Sequence, residues 1–450
     1  MIETLQVKKE ADPYLSSFDR FERDGLSNQP GWIRSLRKGA VSRFAEFGFP
    51  SLQDENWRFT NVAPIARLPF QPVLEMPSHS LTTETLEQFH FANQKSSRLV
   101  FVDGHYAAEF SSVLPLPAGV QLMTLNAAIA ENVPGVEKHL GKYAQFENNS
   151  FTALHTAFFT DGLYIHVQSG TAVPDPVQLI FISTCSENGS AVHPRNLVIA
   201  EANSSLTLIE SYVSLGKQPS VTNAVIEFVI GENAHVEHCK FQDEQLKAFH
   251  IQAIQAQLGR RANFISHSLA LGAQLSRTNI NTVLGGEGIE CILNGLYITK
   301  DDQLADHFMI VDHAKPHCNS HEYFNGILDG RSKGVFHGRI LVRQEAQKTD
   351  AKQTNKNLLL SDNATATAKP QLEIYADDVK CTHGATIGQL NDESIFYLRA
   401  RGIGLETARR MLIHAFAGEI IDRIRCAPLR EEIDAIVWDR LEQNPHVGEK

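Results

Sequence analysis

The chain is poor in cysteine, with six in 450 residues: Cys185, Cys239, Cys291, Cys318, Cys381 and Cys426. The nearest two, Cys291 and Cys318, lie 318 − 291 = 27 positions apart. That spacing gives neither a disulfide framework nor a Cys-x-x-Cys knuckle, and it fits a reduced, cytoplasmic protein. No apolar run approaches the roughly 18 residues needed to span a bilayer. Residues 1–5 lack the basic-then-apolar pattern of a secretory leader. Lysine and arginine runs are also missing. With 41 basic against 52 acidic residues the formal net charge is −11, which argues against a nucleic-acid binder. Catalytic signatures are scarce too. There is no Gly-x-x-x-x-Gly-Lys-Ser/Thr, so the chain is not itself a P-loop ATPase, and there is no Gly-x-Ser-x-Gly elbow. Gly286-Glu287-Gly288 begins a dinucleotide fingerprint, but Cys291 stands where the third glycine belongs. A large soluble chain without these parts reads as a scaffold rather than an enzyme.

What is present is an ordinary globular composition, 42% apolar and 21% charged. Three regions follow from the patterning: residues 1–150 mostly helical, 151–390 β, and 391–450 helical. Trp32, Ile33, Leu36, Ala40, Phe44 and Phe47 have helical spacing that stops at Gly48-Phe49-Pro50. An aromatic-polar segment, Glu55-Asn56-Trp57-Arg58-Phe59-Thr60, comes next. Leu99-Val100-Phe101-Val102 reads as a strand ended by Asp103-Gly104, and residues 123–146 as helix with a break at Pro134-Gly135. From about Phe151 short β runs take over, among them 163–167, 197–200, 225–230 and 308–311.

Block starts recur in that region. Asn196, Asn223, His250, Asn279 and His307 step by 27, 27, 29 and 28 residues. Ser205, Ala234, Ala262, Gly288 and His317 step in parallel by 29, 28, 26 and 29. Periods of this size indicate stacked β units, a β-solenoid, in preference to a β-sandwich with even hairpin spacing. After Gly388 the pattern turns helical. Asp392 or Ser394 caps a helix ending at Arg401-Gly402. Leu405, Ala408, Leu412, Ala415 and Phe416 form one stripe, and Ile433, Ile436, Val437 and Leu441 form another beyond Pro428. Such helices need a surface to cover, either the end of the solenoid or a partner.

Two constellations carry chemistry. In Lys380-Cys381-Thr382-His383-Gly384 a thiol and an imidazole stand at i and i+2, so a strand places both on one face. They supply two ligands where a tetrahedral iron or zinc site needs four. Lys380 and the turn glycines favour an accessible, activated thiol, against the plain reading of a small buried hydrophobe. The second constellation is Asp306-His307, Asp312-His313, His317-Cys318 and His321-Glu322. On a helix His313, His317 and His321 would align, but the surroundings read as strand and turn, and His-Glu-x-x-His is absent. Ladder histidines are the commoner explanation.

Glu55 to Thr60 resembles the N-terminal signature of the SufB/SufD scaffold family. Residues 380–386 (Lys-Cys-Thr-His-Gly-Ala-Thr) and 396–403 (Phe-Tyr-Leu-Arg-Ala-Arg-Gly-Ile) resemble its C-terminal signature. Within the family the chain is more similar to the SufD branch. SufB proteins carry a cysteine in the strand matching Asp362-Asn363-Ala364, and this chain has none. The resemblance implies a right-handed parallel β-helix between helical regions and a non-catalytic subunit of the SUF iron–sulfur assembly machinery. It further implies pairing with SufB through the β-helix ends, or a homodimer when isolated, and docking of the SufC ATPase on the C-terminal helices. Tyr397, Leu398, Arg401, Leu412 and Phe416 are the docking candidates. His383 matches the histidine facing the SufB cysteine where a transient iron–sulfur cluster forms, with Cys381 its weaker neighbour. Assembled complexes of the family also involve reduced flavin. Two other classes compete: a β-helix polysaccharide enzyme, disfavoured by the missing leader and acidic ladder, and a metal storage protein built on His307, His313, His317 and His321.

Overall fold

The computed structural model describes residues 13–23, 29–68, 70–77, 79, 81–87, 89, 95–185 and 189–442; the leader reading at residues 1–5 falls outside them. Most of the chain is a β-solenoid of about eight turns with helices before and after it. Each coil contributes one strand to each of two sheets. One sheet runs from Leu163–Val167 through Arg195–Ala200, Ser220–Ile230, Ala248–Leu258, Leu275–Leu284, Leu304–His313 and Lys333–Val342 to Thr365–Ile374. The other runs from Val177–Ser183 through Ser205–Ser214, His235–Asp243, Asn263–Ala270, Glu290–Thr299, Asn319–Leu328 and Asp350–Leu359 to Lys380–Gly388. Neighbours within these series pair in parallel.

The true repeat marker is conformational. Asn203, Asn233, Arg261, Gly288, His317 and Lys348 all have positive φ, one per coil, between +53° and +69°. Each donates its N–H to a carbonyl of the next coil: Glu232, Arg260, Glu287, Pro316, Gln347 and Asp378 in turn. The period read from the sequence is therefore real, and Gly288 and His317 among its markers are turn residues themselves; the series from Asn196 to His307 slips by one to three positions, Thr222, not Asn223, facing His250. A left-handed turn accepts Asn or Gly most readily but tolerates Arg, His and Lys here, so residue identity did not reveal it.

Inside the coil, rows such as Ile226, Ile254, Ile280 and Met309 stack from strand to strand. Gly295 sits in this interior because a Cβ there would meet the Phe324 ring at 2.1 Å. The interior also holds polar groups that periodicity did not reveal. His238 Nε2 lies 2.9 Å from Glu210 Oε2, and Lys240 Nζ donates to Thr278 at 2.8 Å.

The flanking regions cover outer faces. Tyr14, Phe44, Phe49, Phe151 and Phe158 pack on Val221, Phe249, Ile251 and Leu275 of the first sheet. The helix Gly31–Phe47 ends where expected, Gly48 adopting φ +65° and donating to the Phe44 carbonyl at 2.7 Å. The β region does not begin at Phe151, since Ser150–Phe158 is a helix. Residues 151–158 are buried all round, which erases the amphipathic period by which a helix is recognised. Met123 belongs to a strand, Val120–Thr124, that precedes two short helices.

At the other end of the chain, Leu405–Ile421 and Ala427–Glu442 cover the outer face of the second sheet, not the solenoid's end. The inward stripe of the first is Ala408, Ile413, Ala417, Ile420 and Ile421; Leu412 and Phe416 are half-buried and Ala415 is exposed. Two apolar stripes share this helix, and the one richer in isoleucine meets the sheet. In the second, Ile433, Ile436, Val437 and Leu441 are buried as expected. The cap of Asp392–Arg399 is Asn391, whose side chain accepts from the Ser394 N–H, rather than Asp392 or Ser394.

Candidate functional site at the open end of the solenoid

The two ends of the solenoid differ. At the first, antiparallel strands Val120–Thr124 and His105–Tyr106 close the sheets. At the last, Thr365–Ile374 and Lys380–Gly388 are terminal, and among the described residues no strand pairs with their outer edges. Pro370 lies in one of them, an edge position where a missing N–H is tolerated.

Register shows which side chains this leaves bare. Cys381, His383, Ala385 and Ile387 are the ladder partners of Ala351, Gln353, Asn355 and Asn357, all four of them buried inward residues. Across the coil, Ala366, Ala368, Pro370, Leu372 and Ile374 follow the inward Gly334, Phe336, Gly338, Ile340 and Val342. Cys381 and His383 therefore do share a face, as the i, i+2 spacing requires, and that face is the interior one. His383 is exposed only because no further coil covers it. Ile374 and Ile387, core-type residues, are 40% and 52% exposed. A solenoid normally needs a polar cap at such an end.

The thiol is not activated by Lys380. Burial pushes the Cys381 thiol up, Asp350 adds to this, and a backbone hydrogen bond from Ala351 only partly opposes it. Lys380 takes the place over Asp350, in the outward row. Of the two, the imidazole is the more exposed.

The histidine-rich stretch does not assemble. His307 and His313 point inward from one strand, where burial lowers them to about 3 and about 4, and they meet Ser268 and Ser320 hydroxyls at 3.2 and 2.8 Å. His317 is a left-handed turn residue. His321, on the other sheet, lies 3.1 Å from the Tyr323 hydroxyl. Asp306 accepts from Arg277 and Thr60, and Asp312 from Arg343. Among the described residues no cluster of three His, Cys, Asp or Glu could hold a metal ion.

The N-terminal signature fastens coils together. Trp57 stacks on the buried Arg277 guanidinium at 3.8 Å, Thr60 donates to Asp306, and Glu55 pairs with Lys369 at 3.0 Å on the terminal strand. Residues 361–363 form a turn, not a strand, between the last two coils.

Directly after the terminal strand comes Asp392–Arg399, a helix with no buried residue. Tyr397 is 57% exposed and stacked by Arg401 at 3.5 Å, and Leu398 is half-buried. Phe396, 74% exposed, adjoins Tyr397 on the same helix, and Met411 is exposed on the next; helical spacing does not distinguish an uncovered apolar side chain from a packed one. Phe416 instead packs against the outer face of the second sheet, its carbonyl accepting from Asn325 at 2.9 Å, and Leu412 is half-buried.

Among the described residues, then, the coil stack is open at one end, with an imidazole and a thiol in its uncovered interior row. The comparisons say which family this is. A model described as SUF system FeS cluster assembly, SufBD core domain, matches residues 181–416, and the SufBD protein N-terminal region matches residues 8–179. The chain belongs to the SufB/SufD family. It is 32% identical to the iron–sulfur cluster assembly protein SufD of Escherichia coli over 426 residues, covering 94% of this chain and 95% of that one. SufD of Bacillus subtilis is 25% identical over 444 residues, with 96% and 99% covered. An iron–sulfur cluster assembly SufBD family protein of Synechocystis is 33% identical over 402 residues, 88% of each chain. These relationships support a role in SUF iron–sulfur cluster assembly. No helix among the described residues is long and apolar enough to cross a membrane.

Proposed function

We propose that this chain is a non-catalytic scaffold subunit that pairs with SufB through the open end of its solenoid and lends His383 to a nascent cluster. The carrying observation is the uncovered interior row, in which apolar residues surround His383 and Cys381. A partner that covers it removes core-type surface from water and brings its own ligands to a site that has only two here. Ligands split between two chains hold the cluster, which is cargo, only while the chains stay together. The exposed Phe396 and Tyr397, with Met411 exposed on the next helix, support docking of the SufC ATPase on these helices, with Leu398 and Arg401 among the candidates. That helix continues from the strand carrying His383, so movement of a docked ATPase has a short path to the open end. Within this reading Leu412 and Phe416, both half-buried on the adjoining helix, remain docking candidates.

The test separates the two surfaces. His383→Ala abolishes cluster maturation in cells and leaves SufC copurification intact, while Phe396→Asp loses SufC and leaves SufB pairing intact. Normal maturation in His383→Ala, or loss of SufC in that variant, refutes the assignment.

A further inference from the structure

Behind His383 the inner row continues as Gln353 and then Glu322, its ladder neighbours one and two coils deeper. Gln353 and Glu322 are buried, at 1% and 0% exposure. Neither oxygen of the Glu322 carboxyl, and neither polar atom of the Gln353 carboxamide, makes a well-formed hydrogen bond, although the Gln353 amide lies near enough to Glu322 to act on its carboxyl. Buried polar groups in native proteins are almost always paired, so four poorly bonded atoms in adjacent residues call for a specific explanation.

The opposite wall supplies part of it. Gly338 lies between Met309 and Pro370 in the facing inner row. A Cβ on it would sit 2.7 Å from Gln353 Nε2, 2.9 Å from Glu322 Oε2 and 3.1 Å from the Phe336 ring. The missing side chain leaves a small space toward which the amide nitrogen and the carboxylate oxygen both turn. Leu293 and Met309 follow Glu322 and Gly338 on the inner side and close it with apolar groups. The only continuation of this polar row is outward, through Gln353 to His383.

We propose that Gln353 and Glu322 are positioning residues for His383. The Gln353 carboxamide oxygen accepts from one ring N–H of His383, and its NH2 group donates toward Glu322 across the space opposite Gly338. The other ring nitrogen then faces out of the open end. This deepens, and rests on, the reading of His383 as the lent ligand. Histidines that bind metals are held in one tautomer by a second group on the far nitrogen, and an amide provides an acceptor at one end and a donor at the other. The row does this without placing a further charge at the mouth. Burial pushes the Glu322 carboxyl up to about 8, with the Gln353 amide opposing, so near neutrality it is mostly the uncharged acid. The titratable group that acts on it is Cys291, whose thiol burial pushes up to about 12.

The experiment reads the imidazole directly. In the full-length chain labelled with nitrogen-15 in histidine rings, and with His383→Ala used to assign the signal, His383 shows one dominant tautomer. Gln353→Leu removes the acceptor, and Gly338→Ala fills the space without removing any polar group; in both, the His383 signals collapse toward exchange-averaged values. Gln353→Glu, which keeps an acceptor, restores the single tautomer. In the complex assembled with SufB and SufC, cluster formation falls about 10–100-fold in Gln353→Leu and recovers in Gln353→Glu. An averaging imidazole in the unmodified protein, or unchanged ring signals in both Gln353→Leu and Gly338→Ala, overturns the inference. Undiminished cluster formation in His383→Ala overturns the function proposed above instead, and leaves the tautomer result as it was measured.

Discussion

Replacing Ile387 with aspartate separates the fold from its use. Ile387 belongs to the interior row but is 52% exposed, because the row above it is missing. In the free chain an added charge there stays hydrated, so stability changes by no more than about 0.5 kcal/mol, as at other surface sites. In the paired state the same position is covered. Fully burying an isoleucine contributes about 1.5–3 kcal/mol, and roughly half of that remains to be gained here. Aspartate forfeits this and adds a polar desolvation cost of about 2 kcal/mol or more. The sum, about 3 kcal/mol, corresponds to about a hundredfold weaker pairing. Urea unfolding of the isolated variant and sedimentation velocity with SufB measure the two quantities. An unfolding midpoint equal to that of the unmodified protein with undiminished pairing would refute the open end as the interface. A large loss of stability in the free chain would refute the claim that this row is uncovered.

Two further outcomes follow from the buried charges. Glu227 accepts from Arg195 at 2.5 Å and from the backbone N–H groups of Gly141, Tyr143 and Ala144, each at 2.9 Å. Glu227→Ala strands a buried guanidinium and three donors, so it costs about 3–5 kcal/mol or more in urea unfolding; a loss below 1 kcal/mol would show the pair to be dispensable. His193 and His307, both held near 3, and His313, near 4, bind fewer protons folded than unfolded. Stability from these groups is present above the ordinary histidine range and lost as pH falls through it, by about 2 kcal/mol each between pH 8 and pH 5. Thermal unfolding across that range shows the decline, His307→Gln makes it shallower, and a flat profile would contradict the burial of these rings as neutral groups.

Much of the architecture was legible because it rests on short-range chemistry. Short runs rich in β-branched and aromatic residues over 163–167 or 225–230 admit a strand, Gly48 ends a helix, and a recurrence of about 28 residues needs stacked coils. The missed helical features share one cause, which is that a helix buried on all sides or on none leaves no 3.6-residue period to read. The helix over residues 150–158 was hidden because all of its face is buried, and Phe396 was overlooked because none of its helix is. The histidines between 307 and 321 look like a ligand set in one dimension, but the coil sends two inward, one into a left-handed turn and one to the other sheet.

The sequence by itself determined the strand-forming runs, the coil period and the common face of Cys381 and His383, because a pleated strand alternates its side chains whatever surrounds it. Tertiary structure alone decided that this face is the interior of a coil with no successor among the described residues. It also decided that Gln353 and Glu322 stand behind His383, since those neighbours are 30 and 61 residues away and meet only through parallel pairing between coils. Exposure of an inward row is a property of where the stack stops, and no local pattern records that.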